Sequence, residues 1–155
     1  MKKFIQNKLK DQKGLTLIEL LAVIVILAII AAIAIPAIGN IIENSRYSAV
    51  KSDALNTLSA ANIYFAENPT KTKVTTSTLD SGYLDNAGKI PVAVVGSETA
   101  PTNNFVEKLA SGDLAISTTA ITYAGAKTVT FTGATVTKIN ADENKGSSSA
   151  NKTIN

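Results

Sequence analysis

Residues 13–36 read KGLTLIELLAVIVILAIIAAIAIP, and the reading of this stretch decides the fold. From Leu15 to Ile35 it carries one charge, Glu19, and one hydroxyl, Thr16. About 20 apolar residues is the length at which an α-helix crosses the hydrocarbon core of a bilayer. The expectation is a membrane-embedded helix that presents the rest of the chain on one side. A carboxylate within such a helix costs roughly 3 kcal/mol even on lenient insertion scales, so Glu19 requires a partner.

Outward from this stretch, residues 1–14 hold Lys2, Lys3, Lys8, Lys10 and Lys13 against a single acid, Asp11. The remainder of the chain holds ten basic and eleven acidic side chains, so the formal net charge of +3 belongs to the leader. That is a membrane-orientation signal, placing the leader in the cytoplasm and the later residues outside, and not a nucleic-acid footprint. Ala32-Ile33-Ala34 supplies the small residues of a secretory cleavage site, but the apolar run is too long for a secretory core. Glu19 also sits where such a core carries no charge, and a plain uncleaved anchor leaves Gly14, Thr16 and Glu19 unexplained.

The sequence has no Cys and no His. Disulfides, Cys-linked lipid anchoring, Ser–His or Cys–His catalysis and most transition-metal sites are thereby excluded. The acids Asp80, Asp85, Glu98, Glu107 and Asp113 are scattered through loop-like sequence, so no enzyme, no cofactor and no metal site is expected. Asp142-Glu143-Asn144 has poor spacing for calcium ligation and reads as solvated tail.

On the C-terminal side, Pro36 leaves the Ala32 carbonyl without its helical partner and Gly39 loosens the next turn, which predicts a kink. Beyond it Tyr47, Val50, Ala54, Leu58, Ala61 and Phe65 recur at spacings of 3 and 4, within an arc of about 80°. They predict a helix with one narrow apolar seam, stopped by Asn68-Pro69. Residues 15–67 together read as one helix about 80 Å long. Between 69 and 113 the signals are weaker. Thr70–Thr78 reads as polar, Leu79–Leu84 as a turn or short helix, Ile90–Val95 as an edge strand, Gly96–Asn104 as loop, and Phe105–Leu109 as helical turn or strand. Leu114–Ser117 adds a candidate strand. Ala120–Tyr123, Thr128–Thr132 and Thr135–Ile139 alternate apolar residues with Thr between glycines, which predicts a β-meander. Its Ile121, Tyr123, Val129, Phe131 and Val136 are expected to meet the helix seam. Residues 141–155 read as a flexible polar tail.

The fold class expected is α+β, with a long helix whose second half packs on a small antiparallel sheet. The expected organisation is a leader over 1–14, a transmembrane and assembly helix over 15–39, an extracellular head over 40–140, and the tail.

Lys13-Gly14-Leu15-Thr16-Leu17-Ile18-Glu19-Leu20-Leu21, followed by an apolar run ending Ala34-Ile35-Pro36, resembles the N-terminal region of type IV pilins and the related pseudopilins. The resemblance covers residues 8–60. It implies that a membrane-embedded prepilin peptidase cuts between Gly14 and Leu15 and N-methylates Leu15, where the family usually carries Phe. Gly before the cut leaves an extended backbone unobstructed. After the cut Glu19 lies one turn from the new α-amine, on the same helix face. The family reading pairs Glu19 with the terminus of a neighbouring subunit, with Thr16 at the helix end of the same assembly segment. The bland reading pairs Glu19 with its own terminus or with headgroups. Pro36 and Gly39 mark the segment that bends or unwinds as subunits leave the membrane.

The resemblance further implies a structural subunit of a type IV pilus, a helical homo-oligomer raised by an inner-membrane assembly platform and a cytoplasmic ATPase. Such a subunit is a single-pass protein in membrane lipid before assembly and lies on the bacterial cell surface afterwards. Adhesion, twitching motility and DNA uptake all use this architecture, and nucleic acid is a partner only through the last. The alternatives are a pseudopilin of a type II secretion or competence system, and a membrane-tethered binding domain that never polymerises.

Overall fold

The computed structural model describes residues 2–92, 103–148 and 151–155. The chain is α+β: one long apolar helix leads into a head of short strands and helices. It divides into two compact units, residues 1–40 and 41–155.

The helix, α1, spans Lys2–Glu67. The helix expected from residue 15 thus extends back through the leader, whose Lys, Gln and Leu are good helix formers with no proline among them. α1 is helical on both sides of Pro36 and Gly39. Its end lies just before Pro69, and the Asn68 backbone N–H closes on the Tyr64 carbonyl at 2.9 Å.

Within the second unit, Tyr47, Val50, Ala54, Leu58, Ala61 and Phe65 are all buried, together with Thr57, Ala60 and Tyr64. Thr57 stays satisfied because its hydroxyl donates to the Asp53 carbonyl at 2.9 Å. The rest of the core comes from strands and two short helices. β1 (Lys73–Thr75), β2 (Phe105–Lys108), β3 (Leu114–Ser117) and β6 (Ala134–Thr135) form an antiparallel sheet in the order β1-β2-β3-β6. β4 (Ile121–Ala124), β5 (Lys127–Phe131) and β7 (Asn151–Ile154) form a second sheet in the order β4-β5-β7. Val106, Ile116, Val129 and Phe131 from the two sheets are fully buried in one cluster with the α1 seam. Burying each such side chain stabilises the fold by roughly 1.5–3 kcal/mol.

Four local readings change. Thr70–Thr78 contains β1 and the start of α2 (Thr76–Gly82), because Thr75 caps that helix by accepting the Thr78 N–H at 3.2 Å. α2 buries Leu79 completely. Phe105–Lys108 is strand, whereas Ile90–Val92 is not, and residues 93–102 lie outside the described residues. The expected third strand of the meander, Thr135–Ile139, is mostly helix: α3 spans Val136–Ala141. Gly133, at φ 61°, turns the chain out of β5, and the Thr135 hydroxyl caps α3. Val136 is consequently 47 % exposed and not part of the seam, while Ile139 is buried. Finally, the segment read as a polar tail supplies β7, which runs parallel to β5 with Thr128 opposite Asn151 and Phe131 opposite Ile154. Lys152 and Ile154 are buried, and the Ile154 carbonyl accepts the Thr132 N–H at 2.9 Å. The place expected for a meander strand is thus filled from the end of the sequence.

Candidate functional site

The first candidate region is the apolar stretch of α1. Sixteen large aliphatic side chains between Leu17 and Ile42 are 45–71 % exposed. Among the described residues α1 is the one helix long and apolar enough to cross a membrane, with a mean hydropathy of 3.2 over its most apolar window and none of that window buried. Exposed apolar surface on this scale marks an interaction site for membrane or protein. Glu19 lies on this stretch, exposed, with no hydrogen bond or ion pair to another described residue. Gly14, Leu15 and Thr16 lie within α1, and their side chains lie outside the described residues. At Gly39 a Cβ would meet nothing within 4 Å, so the glycine is not there to admit a neighbour within the chain.

The second region begins at Glu43, where α1 acquires partners from residues 84 to 103 positions later. Lys127 Nζ donates to Glu43 Oε2 at 2.6 Å and to the Ser147 carbonyl at 3.0 Å. The Ser147 N–H donates to Asn44 Oδ1 at 2.9 Å. One turn on, the Tyr47 hydroxyl donates to Asp142 Oδ2 at 2.7 Å. A further turn on, Lys51 Nζ donates to the Asp142 carbonyl at 2.7 Å and pairs with Asp142 Oδ2 at 3.2 Å. Residues 142–148 therefore form a strap across α1. Gly146 lets the strap lie flat: a Cβ there would sit 2.7 Å from Tyr47 Cβ and closer still to the Glu43 carbonyl. The Tyr123 hydroxyl holds the strap from the sheet side, donating to the Gly146 carbonyl at 3.0 Å, and its ring lies 5.2 Å from that of Tyr47. Lys152 approaches the same pair, 2.9 Å from the Tyr123 hydroxyl.

The electrostatics follow from burial. Desolvation, and then the Asp142 carboxylate that its hydroxyl bonds, push the Tyr47 phenol well above its ordinary value. Desolvation opposes ionisation of Asp142, but hydrogen bonds from Tyr47, Asn144 and Lys51 outweigh it and hold the carboxyl below the usual range. Asp142 is thus a structural anion and not the solvated tail residue expected. No group of three or more acids fit to hold a metal ion occurs among the described residues.

Sequence reasoning missed the strap entirely. Its one local signal is Gly146, set between Lys145 and three serines, which reads equally well as a linker.

A family model described as the prokaryotic N-terminal methylation motif matches residues 9–35, a span containing Gly14, Leu15, Thr16 and Glu19. No curated protein and no solved structure matches the chain. The chain accordingly carries a pilin-like, prepilin-type processing motif on a helix long and apolar enough to cross a membrane.

Proposed function

We propose that this protein is a structural subunit of a type IV pilus. In this reading a prepilin peptidase cuts between Gly14 and Leu15 and methylates Leu15. An inner-membrane platform and its ATPase then extract the subunit into a helical surface filament. The observation that carries the reading is the methylation motif at 9–35, set on a helix whose aliphatic side chains from Leu17 to Ile42 lack protein cover. Lipid covers them before assembly and other copies of α1 cover them afterwards. Hydrocarbon solvates these side chains about as well as a helix bundle does, so transfer between the two states costs little in hydrophobic free energy. Glu19 supplies the specificity: within the bundle it neutralises the new α-amine of a neighbour, because an unpaired charge there is costly.

The deciding experiment is mass spectrometry of sheared, sedimented surface fibres. The expected species begins at Leu15 and is one methyl group heavier than the cut chain. A full-length protein confined to the membrane fraction would instead establish the tethered binding domain. A cut and methylated chain that never enters long fibres would establish the pseudopilin.

A further inference from the structure

The weakest and the best-held parts of α1 adjoin one another. Residues 35–42 are all exposed, Pro36 withdraws one backbone hydrogen bond, and Gly39 has no neighbour within 4 Å of its Cβ position. A helix without packing is marginal in water over so short a span, and proline and glycine weaken it further. At Glu43 the situation reverses. Over the nine residues from Glu43 to Lys51, the strap and Lys127 bond to four α1 side chains, at positions 43, 44, 47 and 51. Gly146 brings strap backbone onto the Glu43 carbonyl.

We infer that residues 142–148 are a latch on α1, which makes Glu43 the first residue of the helix held by the head and confines opening of the helix to the Pro36–Ile42 side. The device is independent of polymerisation and stands or falls apart from the pilus reading. Its logic is one of placement. The α1 seam does not begin until Tyr47, so the hydrogen bonds that tie the turn Glu43–Arg46 to the head come from the strap and from Lys127. Two charges of opposite sign on α1, Glu43 and Lys51, are each neutralised from the strap side, by Lys127 and Asp142. The latch thus leaves neither Glu43 nor Lys51 unpaired, and each half is a separate ion pair that can be removed alone.

Hydrogen exchange of the full chain in detergent micelles, read peptide by peptide, tests this. In the wild type, amides of 37–42 should exchange faster than those of 43–49. Lys127→Met combined with Asp142→Ala should accelerate exchange at 43–49 by about tenfold or more, as expected when a held turn becomes a frayed end. The amides of β2 and β3 should keep their protection. Lys73→Met, which removes the distant Lys73–Glu107 pair at 3.0 Å, should leave 43–49 unchanged. If the double variant loses the head fold, Lys127→Met alone is judged by the same criteria. Unchanged exchange at 43–49, equal acceleration in β2 and β3, or equal protection of 37–42 and 43–49 in the wild type would each overturn the latch.

Discussion

The two halves of α1 are stabilised by different means, although both are helix. From Leu17 to Ile42 the sixteen large aliphatic side chains are exposed and occupy every face of the helix. From Glu43 to Glu67 the stripe from Tyr47 to Phe65 is buried, and Ile63 is the one large apolar side chain left exposed. In the first half, order depends on surroundings that satisfy apolar surface all round. In the second, it depends on a jigsaw with two sheets and a strap, where one methylene group matters. A substitution should therefore act on assembly in the first half and on head stability in the second.

The sharpest separation is expected from Glu19→Ala. It should abolish fibres while leaving membrane insertion and the cut after Gly14 intact, and it should not shift the head's denaturation midpoint. Normal fibres by electron microscopy would remove the proposed intersubunit pairing. Next in size is Leu58→Ala, a fully buried seam position. It should destabilise the head by about 2–5 kcal/mol in urea denaturation of the full chain, through a lost side chain and a cavity. Leu27→Ala, 58 % exposed in the apolar half, should change the same midpoint negligibly. Equal effects from the two leucines would erase the contrast.

Gly146→Ala should cost about 1–3 kcal/mol, because its methyl group overlaps the Glu43 carbonyl and Tyr47 Cβ unless the strap moves. Differential scanning calorimetry should show the loss, and an unchanged midpoint would mean that the strap yields freely. The smallest effect is in pH dependence. Asp142 titrates lower in the fold than unfolded, so its contribution is present above the ordinary value of about 3.9 and disappears as pH falls through the lower folded value. Tyr47 titrates higher in the fold, so its contribution is full below the ordinary value of about 10 and declines as pH rises above it. Wild type and Asp142→Asn should differ at neutral pH and converge in acid. Tyr47→Phe should lose part of the alkaline instability. Parallel stability curves for wild type and either variant would contradict these assignments.

What was legible in the sequence follows the range of each interaction. The apolar stretch reads from composition alone, and the stripe from Tyr47 to Phe65 reads from a spacing of 3 and 4 that only a helix brings onto one face. The hairpin of β4 and β5 reads from alternation about Gly125, which takes φ 53° at the turn. Thr135–Ile139 misleads because alternating Thr and Val resembles strand, while the deciding features are the turn at Gly133 and the Thr135 cap. β7 misleads for the opposite reason. Asn151-Lys152-Thr153-Ile154 alternates correctly, but one of its inward positions is a lysine, which composition assigns to solvent. The strap was not legible at all. Its partners on α1 lie 91 to 103 residues away, and no local pattern announces a contact at that separation.

The parallel pairing of β7 with β5 has a mechanical consequence. The connection from β5 to β7 runs through β6, α3 and the strap, so it passes over α1 before rejoining the sheet it left. Tension drawn along α1 therefore reaches Gly146 and the strap, and through them the ends of two parallel strands. Hydrogen bonds between parallel strands are evenly spaced. Loaded along the strands they share the force and fail together, unlike a hairpin peeled from its open end, where they fail one at a time. A pull that separates α1 from the strap has first to break the bonds of Asp142 and Ser147 to the helix, and only then does it load β7.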